Sequence, residues 1–217
     1  MKKAVILLSG GLDSAATLYM AKKEYEPRCL IFDYGQRHSR EINSAKKIAS
    51  LLKCSHKVVK IRLPETADSL TCKNKPLPLN RPLPATGKTV PSTYVPARNI
   101  VFLSLALSYA ETIGAEAIFI GANSIDFSGY PDCTPAFFNA FRQVIRTGIK
   151  QPAAIKLKAP LLNKTKKQIV LAAKRLGVPL GITWSCYKGG KKPCGKCDSC
   201  SIRSRAFRQA GIKDPAE

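Results

Sequence analysis

Two groups of residues in this 217-residue chain have the types and spacing for chemistry. The first is Ser9-Gly10-Gly11-Leu12-Asp13-Ser14, directly behind the apolar run Ala4-Val5-Ile6-Leu7-Leu8. A buried strand that breaks into two glycines and then turns into a helix builds an anion pocket. The glycines let the backbone approach phosphate oxygens, and the helix start offers free N–H groups and the positive end of its dipole. Ser9 and Ser14 add hydroxyl donors. Nucleotide binding is the expected chemistry. It is not that of a Walker loop, since no lysine follows the glycines, nor of the dinucleotide fingerprint, since Gly10 and Gly11 are adjacent.

The second group is Cys186-x7-Cys194-x2-Cys197-x2-Cys200, four thiols within fifteen residues. Gly189, Gly190, Pro193 and Gly195 supply the tight turns that let the sulfurs converge. Four thiolates suit tetrahedral zinc in a closed structural site. Cys-x-x-Cys-x-x-Cys also ligates iron–sulfur clusters, so that remains the rival reading. Lys188, Lys191, Lys192, Lys196 and Arg203 offset the thiolate charge. Cys29 and Cys54 lie in apolar contexts and read as small core residues.

Lysine and arginine number 36 against 14 acids, a formal charge of +22. That charge favours polyanions, ATP and acidic substrates. The lysines are scattered through Lys2 and Lys3, Lys46 and Lys47, residues 164–167, and Lys191 and Lys192, without one dominant block, so a solvated basic surface is expected ahead of a nucleic-acid face. The apolar stretch at residues 4–8 is too short for a leader and nothing later is long enough to span a bilayer, so a cytoplasmic location is expected.

Strand and helix patterns alternate. Residues 4–8 read as a strand, 14–24 as a helix, and 28–33 as a second strand; Ser39 is placed to cap a helix to about Leu52, and 56–62 form a third strand. This is βαβαβ, hence a parallel, doubly wound α/β sheet. Residues 63–96 break the rhythm with many prolines, as a lid or an oligomer contact would. A helix over 98–113, a strand over 116–120 and a helix opened by Pro135 follow, then a strand over 154–158. Thr165-Lys166-Lys167-Gln168 has capping-box spacing for a helix ending at Gly177. The expected organisation is an ATP-binding α/β domain over 1–180 and a small metal-binding C-terminal region over 181–217.

Ligands in such sheets bind beyond the carboxyl ends of the strands, which singles out Ser9 to Ser14, Asp33-Tyr34-Gly35-Gln36-Arg37-His38, Gly121-Ala122-Asn123 and the segment after Pro160.

The loop Ser-Gly-Gly-x-Asp-Ser resembles the pyrophosphate loop of the N-type ATP pyrophosphatases, whose fold is a Rossmann-like adenine nucleotide alpha hydrolase sheet. Taken in order, SGGLDS, DYGQRH, VPARN, DFSGYPDC and TWSCYKGGKKPCGKCDSC with RAF behind it resemble the 7-cyano-7-deazaguanine synthase family, QueC, across essentially the whole chain. The resemblance implies an ATP-dependent ligase of the queuosine pathway that converts 7-carboxy-7-deazaguanine and ammonia to the nitrile. It implies Mg²⁺ with the ATP, one zinc on Cys186, Cys194, Cys197 and Cys200, and a homodimer. Leu8, Ser9, Gly10, Gly11, Leu12, Asp13 and Ser14 would hold ATP. Asp13, Arg98 and Lys164 are the catalytic candidates. Asp33, Tyr34, Gln36, Arg37, Asn99, Asp126, Phe127, Tyr130 and Asp132 are the candidate substrate contacts. Thr134 follows Cys133 where many relatives carry arginine. Two rival functions stay open at the level of residues: a tRNA-modifying relative that adenylates a base, and a non-enzymatic zinc-ribbon module for nucleic acid.

Overall fold

Five parallel strands in the order β3-β2-β1-β4-β5 form the sheet of the computed structural model, which describes the chain except for residues 38, 65–67, 73, 81–89, 125–128, 152–153 and 217. The strands are β1 (Lys2–Leu7), β2 (Tyr25–Asp33), β3 (Ser55–Lys60), β4 (Ala117–Ile120) and β5 (Lys156–Lys158). The helices are α1 (Leu12–Ala21), α2 (Arg40–Leu51), α3 (Arg98–Ile113), α4 (Pro135–Gly148), α5 (Lys166–Arg175) and α6 (Asp198–Gln209). β1 lies at the centre and is apolar on both faces because both are covered. Ala4, Ile6 and Leu8 face one core with α1, α2, α5 and α6; Val5 and Leu7 face the other with α3 and α4. The doubly wound sheet read from the sequence is therefore present. Its order reverses between β1 and β4, where a crevice opens beyond the strand ends.

Several boundaries differ from the sequence expectation. β2 starts at Tyr25, three residues early, and contains Pro27. The proline is tolerated because β2 pairs with β3 only from Arg28 onward, so Pro27 has a single strand neighbour. α1 begins at Leu12, two residues early, because Gly11 is its N-cap, and it ends at Ala21. Ser39 stands at the N-cap of α2 without a capping hydrogen bond, its ψ of 0° lying far from the extended backbone that aims a cap. Thr165 and Gln168 do form the full capping box of α5.

Helix α6 has no counterpart in the sequence reading. Its Ser-, Cys- and Arg-rich sequence shows little apolar period, yet Ala206 and Phe207 are buried in the core shared with α5. The C-terminal segment thus packs on the sheet's own core. Arg203 locks it there: its guanidinium donates to both carboxylate oxygens of Asp214 at 2.6 and 2.9 Å, to the Thr183 hydroxyl at 2.7 Å and to the Leu180 carbonyl at 3.0 Å. Asp214 and Arg203 are only 5% and 7% exposed, so each charge depends on the other. Asp214→Ala strands a buried guanidinium and is expected to cost about 3–5 kcal/mol in urea unfolding.

Candidate functional site

The loop after β1 is built so that only glycine fits its centre. Gly10 has φ +86°, and a Cβ there would lie 2.2 Å from the Glu41 carbonyl oxygen and 2.7 Å from the Ala45 nitrogen. The loop therefore rests directly on the first turns of α2. From the other side the Trp184 N–H donates to the Gly10 carbonyl at 2.9 Å. The Ser14 hydroxyl accepts the Ser9 N–H at 3.2 Å, donates to the Gly11 carbonyl at 3.1 Å and meets the Ser9 hydroxyl at 3.0 Å. Both serines shape the loop in this structure, where the sequence offered them as phosphate donors. The first helical bond of α1 is Ala15 N–H to the Gly11 carbonyl at 3.0 Å, so the N–H groups ahead of it have no acceptor within the helix. A helix start of this kind holds an anion. Gly121 closes the crevice opposite: a Cβ there would lie 2.8 Å from the Ser14 nitrogen, which brings the end of β4 against α1.

Lys166 forms an ion pair with Asp13 over this loop. It is the first residue of α5, held by Asn123, whose side-chain amide donates to the carbonyls of Leu161 (3.3 Å) and Lys164, and by the Ser124 hydroxyl on the Leu162 carbonyl (2.7 Å). Lys164, the lysine singled out from the sequence, lines a separate cleft with Asn139 and Arg142. Thr165 is the N-cap, so the chain turns between the two lysines and presents Lys166 to the loop. With three lysines in four residues, sequence spacing alone could not choose between them.

The crevice widens into a cavity of about 360 Å³ lined by the loop together with Phe32, Tyr34, Glu41, Arg98, Asn99, Phe102, Tyr130, Lys166, Trp184 and Tyr187. Its volume suits a small ligand. Phe32 stacks on Phe102 at 4.1 Å between centroids, and Tyr34 meets Phe102 edge-on at 5.4 Å. Arg98, the first residue of α3, donates to the Tyr34 hydroxyl at 3.1 Å. Burial works against the Arg98 charge, but Tyr34, Tyr130 and Asp132 outweigh it and hold the guanidinium firmly protonated. Burial pushes the Tyr34 phenol up to about 12 and the Cys133 thiol likewise to about 12. It also pushes the Glu41 carboxyl up to about 7, against the opposing pull of Arg98 and a hydrogen bond with Gln36.

The remaining candidates divide. Tyr34, Gln36, Arg37, Asn99 and Tyr130 line the cavity; Asp33 and Asp132 do not. Asp132 accepts the Asn99 N–H at 3.0 Å and so caps α3, whose N-cap Ala97 has no capping side chain. The Arg37 guanidinium donates to the carbonyls of Ser69 and Cys72 at 2.7 Å each, and to that of Lys75, which holds the following loop. The Gln36 side chain accepts the Tyr34 N–H at 2.8 Å and donates to the Phe32 carbonyl at 3.2 Å, closing the end of β2. Asp126 and Phe127 lie outside the described residues. Glu41, Lys166, Trp184 and Tyr187 were missed: Glu41 and Lys166 belong to no glycine-rich or cysteine-rich motif, Trp184 and Tyr187 flank Cys186 in a block read only for its thiols, and only the fold brings all four to the cavity.

The four cysteines converge. Their sulfurs all lie within 4.8 Å of one another, with Cys194 and Cys200 at 3.9 Å. A tetrahedron of four sulfurs around one ion with bonds of about 2.3 Å has edges of about 3.8 Å, so the donor set fits a metal. The N–H groups of Lys188 and Cys194 donate to Cys186 Sγ at 3.4 Å each, and hydrogen bonds from Cys197 and Cys200 hold its thiol far below the usual range. This knuckle also braces its surroundings. The Asn80 N–H donates to the Lys196 carbonyl at 2.8 Å, and the Arg40 guanidinium sits 4.5 Å over the Trp184 ring while bonding the Gly190 and Lys191 carbonyls.

Residues 3–211 match the family model described as Queuosine biosynthesis protein QueC. A 7-cyano-7-deazaguanine synthase of Thermoplasma acidophilum is 48% identical over 219 residues, covering 100% of this chain and 92% of the relative. One from Desulfitobacterium hafniense is 50% identical over 222 residues, covering 100% and 93%. Among solved structures, a predicted subunit of tRNA methyltransferase from Methanocaldococcus jannaschii has a TM-score of 0.50 at 17% identity, covering 99% of this chain and 90% of its own, which is a likeness of fold alone.

Gly10 and Gly35 share nearly the same positive φ, +86° and +85°, but a Cβ on Gly35 would meet nothing within 4 Å. Gly35→Ala is expected to cost about 1–2 kcal/mol of backbone strain. Gly10→Ala should exceed it by about 1–3 kcal/mol through overpacking, as read by urea unfolding of the two variants side by side.

Proposed function

The chain belongs to the QueC family of queuosine biosynthesis proteins, and from that premise we propose that its cavity is the active site of an ATP-dependent 7-cyano-7-deazaguanine synthase. The substrates are 7-carboxy-7-deazaguanine and ammonia. A carboxylate has no good leaving group, so ATP activates it: the carboxylate oxygen attacks the α-phosphorus and pyrophosphate departs. Ammonia displaces AMP to give the amide. A second activation, of the amide oxygen, lets that oxygen leave with AMP and the nitrile form.

The single observation that carries this reading is that one cavity joins the Gly10–Gly11 loop to a cationic and aromatic wall. The loop and the start of α1 cradle the departing pyrophosphate, and Lys166, oriented by Asp13, neutralises charge developing there. Arg98 faces the carboxylate being activated, and Tyr34 and Tyr130 offer their faces to the flat heterocycle. Mg²⁺ bound with the triphosphate would supply charge neutralisation and alignment, which such transfers need more than covalent help. Zinc is the metal assigned to the four thiols. Their spread supports one ion, whereas in a four-iron cluster each cysteine binds a different iron. Zinc on Cys186, Cys194, Cys197 and Cys200 would take no part in the reaction and would fix the knuckle that presents Trp184 to Gly10.

A homodimer in the cytoplasm completes the reading. Ile100 and Leu105 on α3 and Val144 on α4 give exposed apolar surface for a second subunit. Among the described residues no helix is long and apolar enough to cross a membrane. The tRNA-modifying and zinc-ribbon alternatives lose support, since the relatives that span the whole chain are named as synthases of the small molecule.

The test is mass spectrometry of the product formed from 7-carboxy-7-deazaguanine, ATP, Mg²⁺ and an ammonium salt. Nitrile is expected, and Lys166→Ala should lower kcat by about 10²–10³, the loss typical of one preorganised electrostatic contact. Metal-replete protein that consumes no ATP with this substrate would contradict the reading.

A further inference from the structure

The synthase reaction releases protons from nitrogen three times, and each proton needs an acceptor. Ammonia sheds one proton as it becomes the amide nitrogen. The activated amide sheds two as the carbon–oxygen bond breaks toward AMP and the carbon–nitrogen triple bond forms. A base must stand in the cavity, uncommitted to an ion pair and able to take a proton at neutral pH.

Few described groups qualify. The carboxylates lining the cavity are Asp13, Glu41 and Asp198. Asp13 is paired with Lys166, and Asp198 is buried and engaged at the start of α6. Tyr34, Tyr130, Tyr187 and Cys133 are all pushed up by burial, away from neutrality. Glu41 is left. It sits in the first turn of α2, the turn on which Gly10 rests, so the backbone that carries it touches the phosphate loop.

We propose that the Glu41 carboxylate is the general base that removes the protons from the reacting nitrogen. This rests on the synthase reading and assigns it a residue. The groups facing Glu41 suit the task. From α3 comes Arg98, close enough to act through its charge but outside salt-bridge distance; from the turn after β2 come Gln36, which holds the carboxyl by a hydrogen bond, and Tyr34. Asp68, which reaches Tyr34 only through its charge, is turned onto the Leu70 N–H at 2.8 Å and the Thr71 hydroxyl at 2.6 Å, and Asp13 is turned onto Lys166. Each proton passes from nitrogen to Glu41 and on to water through the open side of the cavity. In the first reaction the ammonia lone pair forms the carbon–nitrogen bond as the carbon–oxygen pair departs with AMP, and the N–H pair left by the proton stays on nitrogen. In the second, one N–H pair becomes the nitrogen lone pair and the other the third carbon–nitrogen bond as the carbon–oxygen pair departs with AMP.

Burial sets the Glu41 carboxyl at about 7, so below that pH it holds a proton and cannot accept another. Nitrile formation at constant free ammonia should therefore rise through about pH 7. Glu41→Gln should lose that limb and about 10²–10³ of kcat, the usual worth of a general base. ATP–pyrophosphate exchange driven by 7-carboxy-7-deazaguanine without ammonia involves no nitrogen proton and should persist within about threefold. Glu41→Asp, which keeps a carboxylate, should keep the limb. Glu41→Gln with near-normal nitrile formation, or with exchange lost in step with the full reaction, would overturn the proposal; the second result would make Glu41 a support of the nucleotide loop. Glu41→Asp without the limb would overturn it as well. Wild-type protein that makes no nitrile would instead refute the synthase reading.

Discussion

The phosphate loop proposed for this molecule depends on the seating of one peptide unit, Gly10. Its carbonyl is held by the Trp184 N–H, and its missing side chain lets the loop lie against the Glu41 carbonyl and the Ala45 nitrogen of α2. Two distant parts of the chain thus fix one loop from opposite sides. That fixity matters because backbone donors stabilise developing charge only if they need not reorganise when it appears. The cysteine knuckle supports this seating: it anchors the segment that carries Trp184, whose ring N–H donates to the Cys186 carbonyl at 2.9 Å.

Electrostatics divides the cavity into two tasks. Near the loop, Lys166 and Asp13 form a pair that is about one-fifth exposed on each side, so the lysine is held in position beside the loop. Away from it, Arg98 sits among phenols and Asp132, which keep its charge while the aromatic wall excludes water. An anionic substrate would find its counter-charge already in place at both ends. The formal charge of +22 acts on a longer scale, attracting anions to the molecule as a whole at low ionic strength.

The alternation of strands and helices, the doubly wound sheet and the loop at its switch point were legible because they follow from apolar periodicity and from glycine, which act locally. The capping box at Thr165 and Gln168 was legible for the same reason. What escaped is non-local. Helix α6 takes its stability from Phe207 packing in a core made by α5 and the sheet, and its own sequence carries almost no period. Lys166 differs from Lys164 only through a cap that turns the chain between them. Asp132 looked like a ligand carboxylate and is a helix cap, while Glu41, which no motif singles out, lines the cavity. In each case the residue type was visible and its partner, tens of residues away, was not.

The central claim, that the carboxylate is activated at the α-phosphorus above the Gly10–Gly11 loop, is tested most directly by oxygen transfer. With both carboxylate oxygens of 7-carboxy-7-deazaguanine labelled with ¹⁸O, the account predicts that the label leaves in AMP, each AMP released carrying one substrate oxygen on its phosphate. Label recovered in inorganic phosphate, with ADP as the nucleotide product, would place the attack at the γ-phosphorus and contradict it.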